Sequence, residues 1–539
     1  MPVALNASPD TRTDVLFGHA LFMALDPKQA SLRRPYPPLG TLYAAAAVRA
    51  AGWRVALFDA MLAPGPEAFT AALDAHRPRA VVLFEDSFNF YSKMCLAVMR
   101  DAALAMVADA ASRGLPVVVA GSDASDAPEA FLAAGACAVA VGEADWTVVE
   151  AVAALLGVPG DGDASGAVLP SLLNIPGLVV PSPDGGIVRT PSRPTERTPD
   201  RFPPPARDLL DLDAYRAVWR AAGQPWSLNA VSTRGCPFHC NWCAKPIWGQ
   251  RYAMRSPEAV ADELAALKRD HAPDHVWFAD DIFGLRPSWT AAFGAAVAER
   301  GASTPFTIQS RVDLISPEAA DGLARAGCVE VWLGVESGSQ AILDAMDKGI
   351  RVADVRPAVE RLRGRGIRVG FFLQLGYPGE GWSDILATAA LVRDVVPDAI
   401  GVSVSYPLPG TPFHQRVADQ VAAHAHWRDS TDLAMLFAGT FTTPFYRALH
   451  GQFHREHNAL LALRRADADE SAAALADDSA AARADDSAAA RAEALVELDA
   501  VATAWAVLEV QAPAAAHAAP TRLAVLPPTA APDLSRSAG

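Results

Sequence analysis

Short runs of β-branched residues alternate with alanine-rich helical stretches along two long segments of this 539-residue chain, and that repetition restricts the fold more than any other feature. Such alternation reads as βαβ units, which build parallel sheets covered by helices, so the fold class is α/β. Between residues 14 and about 155 the expected strands are 14–18, 54–58, 79–84, 116–120 and 137–141, and residues 1–155 read as a Rossmann-like, doubly wound domain. Residues 156–225, rich in Pro, Gly and Asp, read as an irregular connector. Six further strands, 228–233, 275–279, 305–310, 329–334, 368–375 and 399–405, imply a partial (β/α)6 barrel over 226–425. Its site would lie at the carboxyl ends of those strands. Residues 426–539 turn to helical composition.

Directly after the first expected barrel strand stands Thr233-Arg-Gly-Cys-Pro-Phe-His-Cys-Asn-Trp-Cys, with cysteines at Cys236, Cys240 and Cys243. Three thiolates hold three corners of a four-iron, four-sulfur cluster and leave the fourth iron open, whereas structural zinc closes its shell with a fourth ligand. The alternative is a zinc knuckle completed by His239, but His239 lies beside Cys240 and no second cysteine pair follows. Cys95, Cys137 and Cys328 stand alone in apolar surroundings and read as small core residues, not a disulfide framework. With no basic, then apolar, leader and no unbroken apolar span, a soluble protein of a reducing cytoplasm is expected. The formal net charge of -15 opposes a nucleic-acid backbone, so neither nucleic acid nor membrane is an expected partner.

The CxxxCxxC loop, with Trp242 before its last cysteine, resembles that of the radical S-adenosylmethionine superfamily. In that family the open iron chelates S-adenosylmethionine, and an electron from the cluster breaks the sulfonium to give a 5'-deoxyadenosyl radical, chemistry beyond ordinary side chains. The series Asp280-Asp-Ile-Phe, Arg311-Val-Asp, Gly334-Val-Glu-Ser-Gly-Ser, Gly376-Tyr-Pro-Gly-Glu and Pro407-Leu-Pro-Gly-Thr-Pro-Phe extends the resemblance to cobalamin-linked members over about 200 residues. A ribose needs hydroxyl acceptors and a methionine carboxylate needs a cation, so Glu336 and Arg311 are the preferred contacts. The two could instead pair with each other, and Asp280 and Asp281 could instead cap their loop. The resemblance implies that Trp242 places its backbone near the adenine, that Glu336 and Ser337 face the ribose or methionine, and that Leu375 lines the adenine pocket, with Asp280 a further contact.

In the first domain the expected strand ends carry Phe84-Glu-Asp-Ser-Phe, Gly121-Ser-Asp-Ala-Ser and Gly142-Glu-Ala-Asp, where sheets of this kind bind ligands and small residues admit a flat cofactor. The competing reading is of plain turns in a domain that only supports the barrel. Tyr36-Pro-Pro-Leu-Gly-Thr-Leu-Tyr and Gly52-Trp-Arg-Val-Ala-Leu-Phe-Asp look like the opening of the cobalamin-binding domain fused to many radical S-adenosylmethionine enzymes. The resemblance implies cobalamin contacts at Tyr36, Pro38, Leu39, Ser87, Gly121, Ser122, Gly142 and Glu143. Ser122 and Ala144 stand where the family often has glycine and narrow the slot for the nucleotide tail; no Asp-x-His-x-x-Gly is present for histidine ligation of cobalt.

The implied function is a cobalamin-dependent radical S-adenosylmethionine enzyme with a [4Fe-4S] cluster, methylating an unactivated carbon of a small molecule and drawing electrons from a flavodoxin- or ferredoxin-type donor. Oxidative cyclisation or rearrangement by the same cofactors, as in the anaerobic magnesium-protoporphyrin monomethyl ester cyclase type, is the alternative, and a non-catalytic cobalamin or cluster sensor the third reading. Toward the C-terminus, Trp427, Phe437, Phe441, Phe445, Tyr446 and Phe453 at helical spacing suit a core more than a substrate cage, and His454 and His457 make a weak metal pair. Between 471 and 491 a Ser-Ala-Ala-Ala-x-Ala-Asp-Asp unit recurs with period eight, which drifts around a helix and suits a solvated helix or disordered insert. The last segment, with Pro520, Pro527, Pro528 and Pro532, is expected to be flexible.

Overall fold

The computed structural model describes residues 13–157, 159, 171–182, 184–421, 426–473 and 481–518. Among them, β1 (Val15–Gly18), β2 (Val55–Phe58), β3 (Ala80–Phe84), β4 (Val117–Ala120) and β5 (Ala138–Ala140) pair in parallel in the order β2-β1-β3-β4-β5. Every side chain of β1, β3, β4 and β5 is buried, as in a sheet covered on both faces. Alternation divides them between two cores. Val15, Phe17, Val82 and Val118 meet the helices Leu39–Ala50 and Asp145–Leu156, while Leu16, Val81 and Val119 meet the helix Ala97–Ser112.

The connector differs from the expectation of irregular chain. Its β6 (Leu178–Pro181) and β7 (Ile187–Arg189) form an antiparallel hairpin that extends the first sheet beyond β5. Leu178, Val179 and Val180 are fully buried there, so burying a three-residue apolar run overrides the Pro and Gly content around it.

The second sheet is an open half barrel of six parallel strands: β8 (Ser227–Ala230), β11 (His275–Phe278), β12 (Phe306–Ser310), β13 (Cys328–Glu336), β14 (Arg368–Leu375) and β15 (Ala399–Val404), adjacent in that order. The first expected strand breaks after Ala230. Asp280 takes the amides of Ser232 and Thr233 away from the ladder, and the chain then forms β9 (Thr233–Gly235), antiparallel to β10 (Tyr252–Met254). Helices on the convex face begin where the residues dictate: Ser256 and Ser316 accept from the amides of Ala259 and Ala319, each followed by Pro at the first helical position.

The helices Pro287–Glu299 and Pro317–Ala326 approach at glycines, and a Cβ added to Gly322 would lie 2.5 Å from the Thr290 carbonyl oxygen. On the concave face Trp332 and Phe372 stack at 4.8 Å over Gly370 and Gly401. The helices Thr443–Ala473 and Ala481–Ala515 lie along each other, burying Phe445, Leu449 and Phe453 with Val501, Trp505 and Leu508 in the barrel's own core. The C-terminal aromatics are thus largely core. The middle of the eight-residue repeat, with Ser479, and the proline-bearing tail lie outside the described residues. No described helix is long and apolar enough to cross a membrane.

A Gly322→Ala substitution therefore forces two helix backbones apart and is expected to destabilise the protein by ~1–3 kcal/mol. Gly451→Ala, mid-helix with nothing within 4 Å of the added carbon, should instead stabilise it by up to ~1 kcal/mol. Urea unfolding of both variants against the parent checks the opposite signs.

Candidate functional site

The three cysteines lie on the loop that β9 and β10 close. Gly235 at its root has φ +82°, and an added Cβ would sit 2.3 Å from the Arg251 carbonyl oxygen, so only glycine fits that turn. The loop is pinned midway by Asn241. Its backbone amide donates to Met346 O, its side-chain amide to Ala345 O, and its side-chain carbonyl accepts from the Tyr377 hydroxyl. Cys236 and Cys240 pack against Phe238, Ile282, Leu285 and Leu314. Burial, then the neighbouring thiols Cys236 and Cys240, push the Cys243 thiol up to about 12, and burial raises Cys236 as well. A bound metal reverses that balance, because its charge deprotonates a coordinating thiol. All six cysteines are free. Among the described residues no three His, Cys, Asp or Glu side chains gather round a point as a single metal ion requires.

Around the loop stand the carboxyl ends of β11 to β15. Arg311 and Glu336 do not pair with each other. Arg311 forks onto Asp313 at 3.0 Å, lies 3.7 Å over the Phe238 ring, and approaches the Cys240 sulfur at 3.9 Å. Glu336 instead accepts from the Lys348 ammonium at 2.7 Å, both side chains being buried. Burial opposes the Lys348 charge, but Glu336 and then Cys240 more than offset it and raise its pKa above the usual value. Glu336 has φ +63°, where the β13–β14 register slips, so a strained backbone aims its carboxylate inward. A Cβ on Gly334 would lie 2.7 Å from Lys348 Nζ, so that glycine makes room for the cation. Lys348 escaped the sequence reading, because only a return of the chain twelve residues on brings it to the strand end.

Asp280 accepts from Ser232 N, Thr233 N and Thr233 Oγ1 through one oxygen, while its other oxygen is buried and unpartnered. Burial outweighs those hydrogen bonds and raises its pKa to about 7. Trp242 Nε1, Gln374 Oε1 and Ser405 Oγ are likewise buried without partners. Gln374 alternates with the core residues Leu373 and Leu375 and so faces the concave side, a position that the sequence reading did not single out. Leu375 is fully buried in the core on the other face, and Ser337 spends its hydroxyl on Thr388 and the amide of Ser339. Donors and acceptors left open at the ends of β11, β14 and β15, beside a buried cation, fit a ligand carrying both hydrogen-bond donors and a carboxylate.

In the first domain, Gly40, next to Leu39, lies against Asp86 and Ser87. A Cβ on Gly40 would be 2.8 Å from Ser87 N, and Asp86 accepts from Gly40 N at 2.9 Å. Gly121, at φ +138°, leaves room for Glu85, whose Cβ an added carbon would approach to 2.5 Å. Ser122 Oγ and Ser92 Oγ are buried without partners. Leu21, Glu85, Ser92, Arg100, Asp123 and Phe131 line a cleft between the loops that follow β1, β3 and β4. Small residues and orphan hydroxyls at the strand ends fit a flat ligand with polar edges.

Two residues read from the sequence as cofactor contacts are engaged elsewhere. Tyr36 donates to Ser227 Oγ at 3.1 Å, at the start of β8, and packs edge-on against Trp219, and the neighbouring Pro37 carbonyl accepts from the Asn229 side chain, so this segment runs along the barrel's first strand. Glu143 gives one oxygen to Arg234 and Trp248 and the other to the amide of Glu196. Gly142 stays beside Ser125, whose hydroxyl accepts from its amide at 3.1 Å. His457 Nε2 donates to Pro397 O and, like His454, is held below its usual pKa by burial.

Residues 230–392 match the radical SAM superfamily and residues 29–152 the B12 binding domain. The chain is similar to an uncharacterized methyltransferase of Pyrococcus horikoshii, 26% identical over 422 residues, 77% of this chain and 86% of that one. It is also similar to the anaerobic magnesium-protoporphyrin IX monomethyl ester cyclase of Rubrivivax gelatinosus, 26% identical over 247 residues, which span 46% of this chain and only 44% of the cyclase. In fold it resembles the radical S-adenosylmethionine methyltransferase TsrM of Kitasatospora setae, solved with cobalamin and a [4Fe-4S] cluster, at TM-score 0.60, 20% identity, and 77% and 79% coverage of the two chains. OxsB, a cobalamin-dependent S-adenosylmethionine radical enzyme, superposes at TM-score 0.61 with 15% identity over 87% of this chain and 69% of its own.

Burial holds Asp280 and Glu85 at about 7 and Glu380 at about 8. The folded protein thus keeps protons that the unfolded chain has released, and stability falls as pH climbs from about 4.5 through about 8. Glu380→Gln should flatten that fall, read as the shift in urea midpoint between about pH 6 and about pH 9. Lys348→Met leaves Glu336 buried and unpaired and is expected to cost ~3–5 kcal/mol, much of it regained in Lys348→Met/Glu336→Gln; equal unfolding curves for the two variants would contradict the pairing.

Proposed function

From its place among the radical S-adenosylmethionine enzymes that carry a B12-binding domain, we propose that this protein moves the methyl group of S-adenosylmethionine to an unactivated carbon of a small molecule. The observation that carries the reading is the placement of a three-cysteine loop between two sets of strand ends, one lined by open polar atoms and a buried cation, the other by glycines and orphan hydroxyls. Cys236, Cys240 and Cys243 would hold the cluster, and Ser87, Gly121, Ser122 and Gly142 would border cobalamin. When bound, the cluster supplies the electron that splits S-adenosylmethionine, and cobalamin carries the methyl group.

The chain's own residues bind and orient. Lys348 offers its ammonium to a carboxylate, and Glu336 keeps that cation charged and in place. Asp280 presents its free oxygen to an ammonium or hydroxyl donor, and Trp242 Nε1, Gln374 and Ser405 present the remaining open atoms. Arg311 directs one N–H toward the Cys240 sulfur and stabilises negative charge there. Trp332 and Phe372 wall the concave face with apolar surface, which keeps water from reactive species. A flavodoxin- or ferredoxin-type protein is the fitting electron donor. Oxidative cyclisation is the second reading, supported by the similarity to the cyclase.

Anaerobic turnover with methyl-deuterated S-adenosylmethionine separates the two: the product should gain the intact labelled methyl, and a converted substrate without label would refute methyl transfer. The same preparation should release 5'-deoxyadenosine, whereas Cys240→Ala should not, because two thiolates leave the cluster short of a corner.

A further inference from the structure

We infer that the Gly142-Glu143-Ala144-Asp145 turn of the first domain clamps the stem of the three-cysteine loop through Arg234, so that each cofactor site feels the occupancy of the other. The inference rests on the two-cofactor reading above. Arg234 is the middle residue of β9, opposite Ala253 of β10, and stands two positions before Cys236. Its guanidinium is buried and forks onto two carboxylates. Nη1 lies 2.8 Å from Glu143 Oε1 and 2.8 Å from Asp145 Oδ2, and Nη2 lies 3.2 Å from Asp145 Oδ1. Its Cζ lies 3.7 Å from the centre of the Phe202 ring, and 5.5 and 5.6 Å from those of Tyr43 and Phe88.

The far limb of the same loop is tied to the same carboxylate. Trp248 Nε1 donates to Glu143 Oε1 at 3.3 Å, and the indole packs on Phe88 with ring centres 5.3 Å apart. Leu39, Tyr43, Phe88, Phe202, Val231, Ile247 and Trp248 enclose the ion cluster in apolar side chains from both domains and the loop. The turn reaches back toward the first domain's ligand side, because Gly142 N donates to Ser125 Oγ in the segment that follows Gly121 and Ser122. A second strut runs parallel: Lys93, the last residue of the short helix Phe90–Lys93 that follows Ser87, pairs with Asp281 next to the stem-holding Asp280 and lies 5.6 Å over the Trp248 ring. Buried ion pairs are poor sources of net stability, since desolvation cancels much of the attraction, but they hold one geometry tightly. A clamp on the loop's stem acts on where the cysteines sit relative to the first domain's strand ends.

Coupling of binding sites is reciprocal. If cobalamin settles the turn and the turn settles the loop, a loaded cluster must tighten cobalamin by the same factor, on the order of 5- to 150-fold. The test titrates the full-length protein with hydroxocobalamin under anaerobic conditions, with the cluster in place and after its removal by a chelator, and records the electron paramagnetic resonance of the reduced cluster with and without cobalamin. The parent should bind cobalamin more tightly when it holds iron, and its spectrum should change on cobalamin binding. Arg234→Lys keeps the charge but cannot fork onto two carboxylates. It should retain iron and circular dichroism while the affinity ratio falls toward one and the spectrum ceases to respond. Trp248→Phe, which removes a single donor to Glu143, should give an intermediate ratio and serves if Arg234→Lys does not fold. Equal affinities with and without iron in the parent, or a parent-like ratio in the variants, would overturn the clamp. A parent that takes up no cobalamin or no iron would overturn the two-cofactor reading itself.

Discussion

A buried guanidinium, held between two carboxylates and three aromatic rings, ties the first domain to the stem of the cysteine loop. Arg234 stays charged although burial works against it, because Asp145 and Glu143 hold its pKa above the ordinary value. Burial in turn raises the Glu143 carboxyl, and Arg234 opposes that rise. Such a cluster tolerates little displacement, because any partner that withdraws leaves charge stranded in a low-dielectric interior. The two sheets were expected as separate units along the chain. Their strand ends meet across this contact, and the cysteine loop lies between them.

The same logic governs the barrel's mouth. Paired and unpaired polar atoms alternate around it. Lys348 and Glu336 satisfy each other, Arg311 is spent on Asp313, and Ser337 on its neighbours. Asp280, Gln374, Ser405 and Trp242 each keep one buried atom open. Native interiors leave few polar atoms without partners, so a cluster of them at one end of a sheet marks where something else is meant to bind. Glycines provide the space: Gly334 admits the lysine, and Gly370 and Gly401 admit the Trp332–Phe372 stack.

Much of this was legible in the residues. The eleven expected strands reappear within a few positions, since β-branched runs buried on both faces have few other uses. The exceptions have a physical cause each. The β6–β7 hairpin was hidden by its Pro and Gly flanks, and the first barrel strand is cut short by Asp280, whose bonds to Ser232 and Thr233 no local pattern announces. Glu143 and Tyr36 were read by position in a motif, but their polar atoms answer to partners 91 and 191 residues away. Lys348 carries no signal of its own until the chain after β13 folds back on the strand end.

Taken alone, the sequence determined the α/β class, the order of the two sheets and the cysteine loop, because these rest on local periodicity and on spacing within a dozen residues. Only the tertiary structure decided which charges pair, which buried atoms stay open and how the loop is tied to the first domain. Those outcomes depend on desolvation and on contacts that spacing along the chain does not announce, from the twelve residues between Glu336 and Lys348 to the 191 between Tyr36 and Ser227, and a hydrogen-bond partner is chosen in space after the backbone has closed.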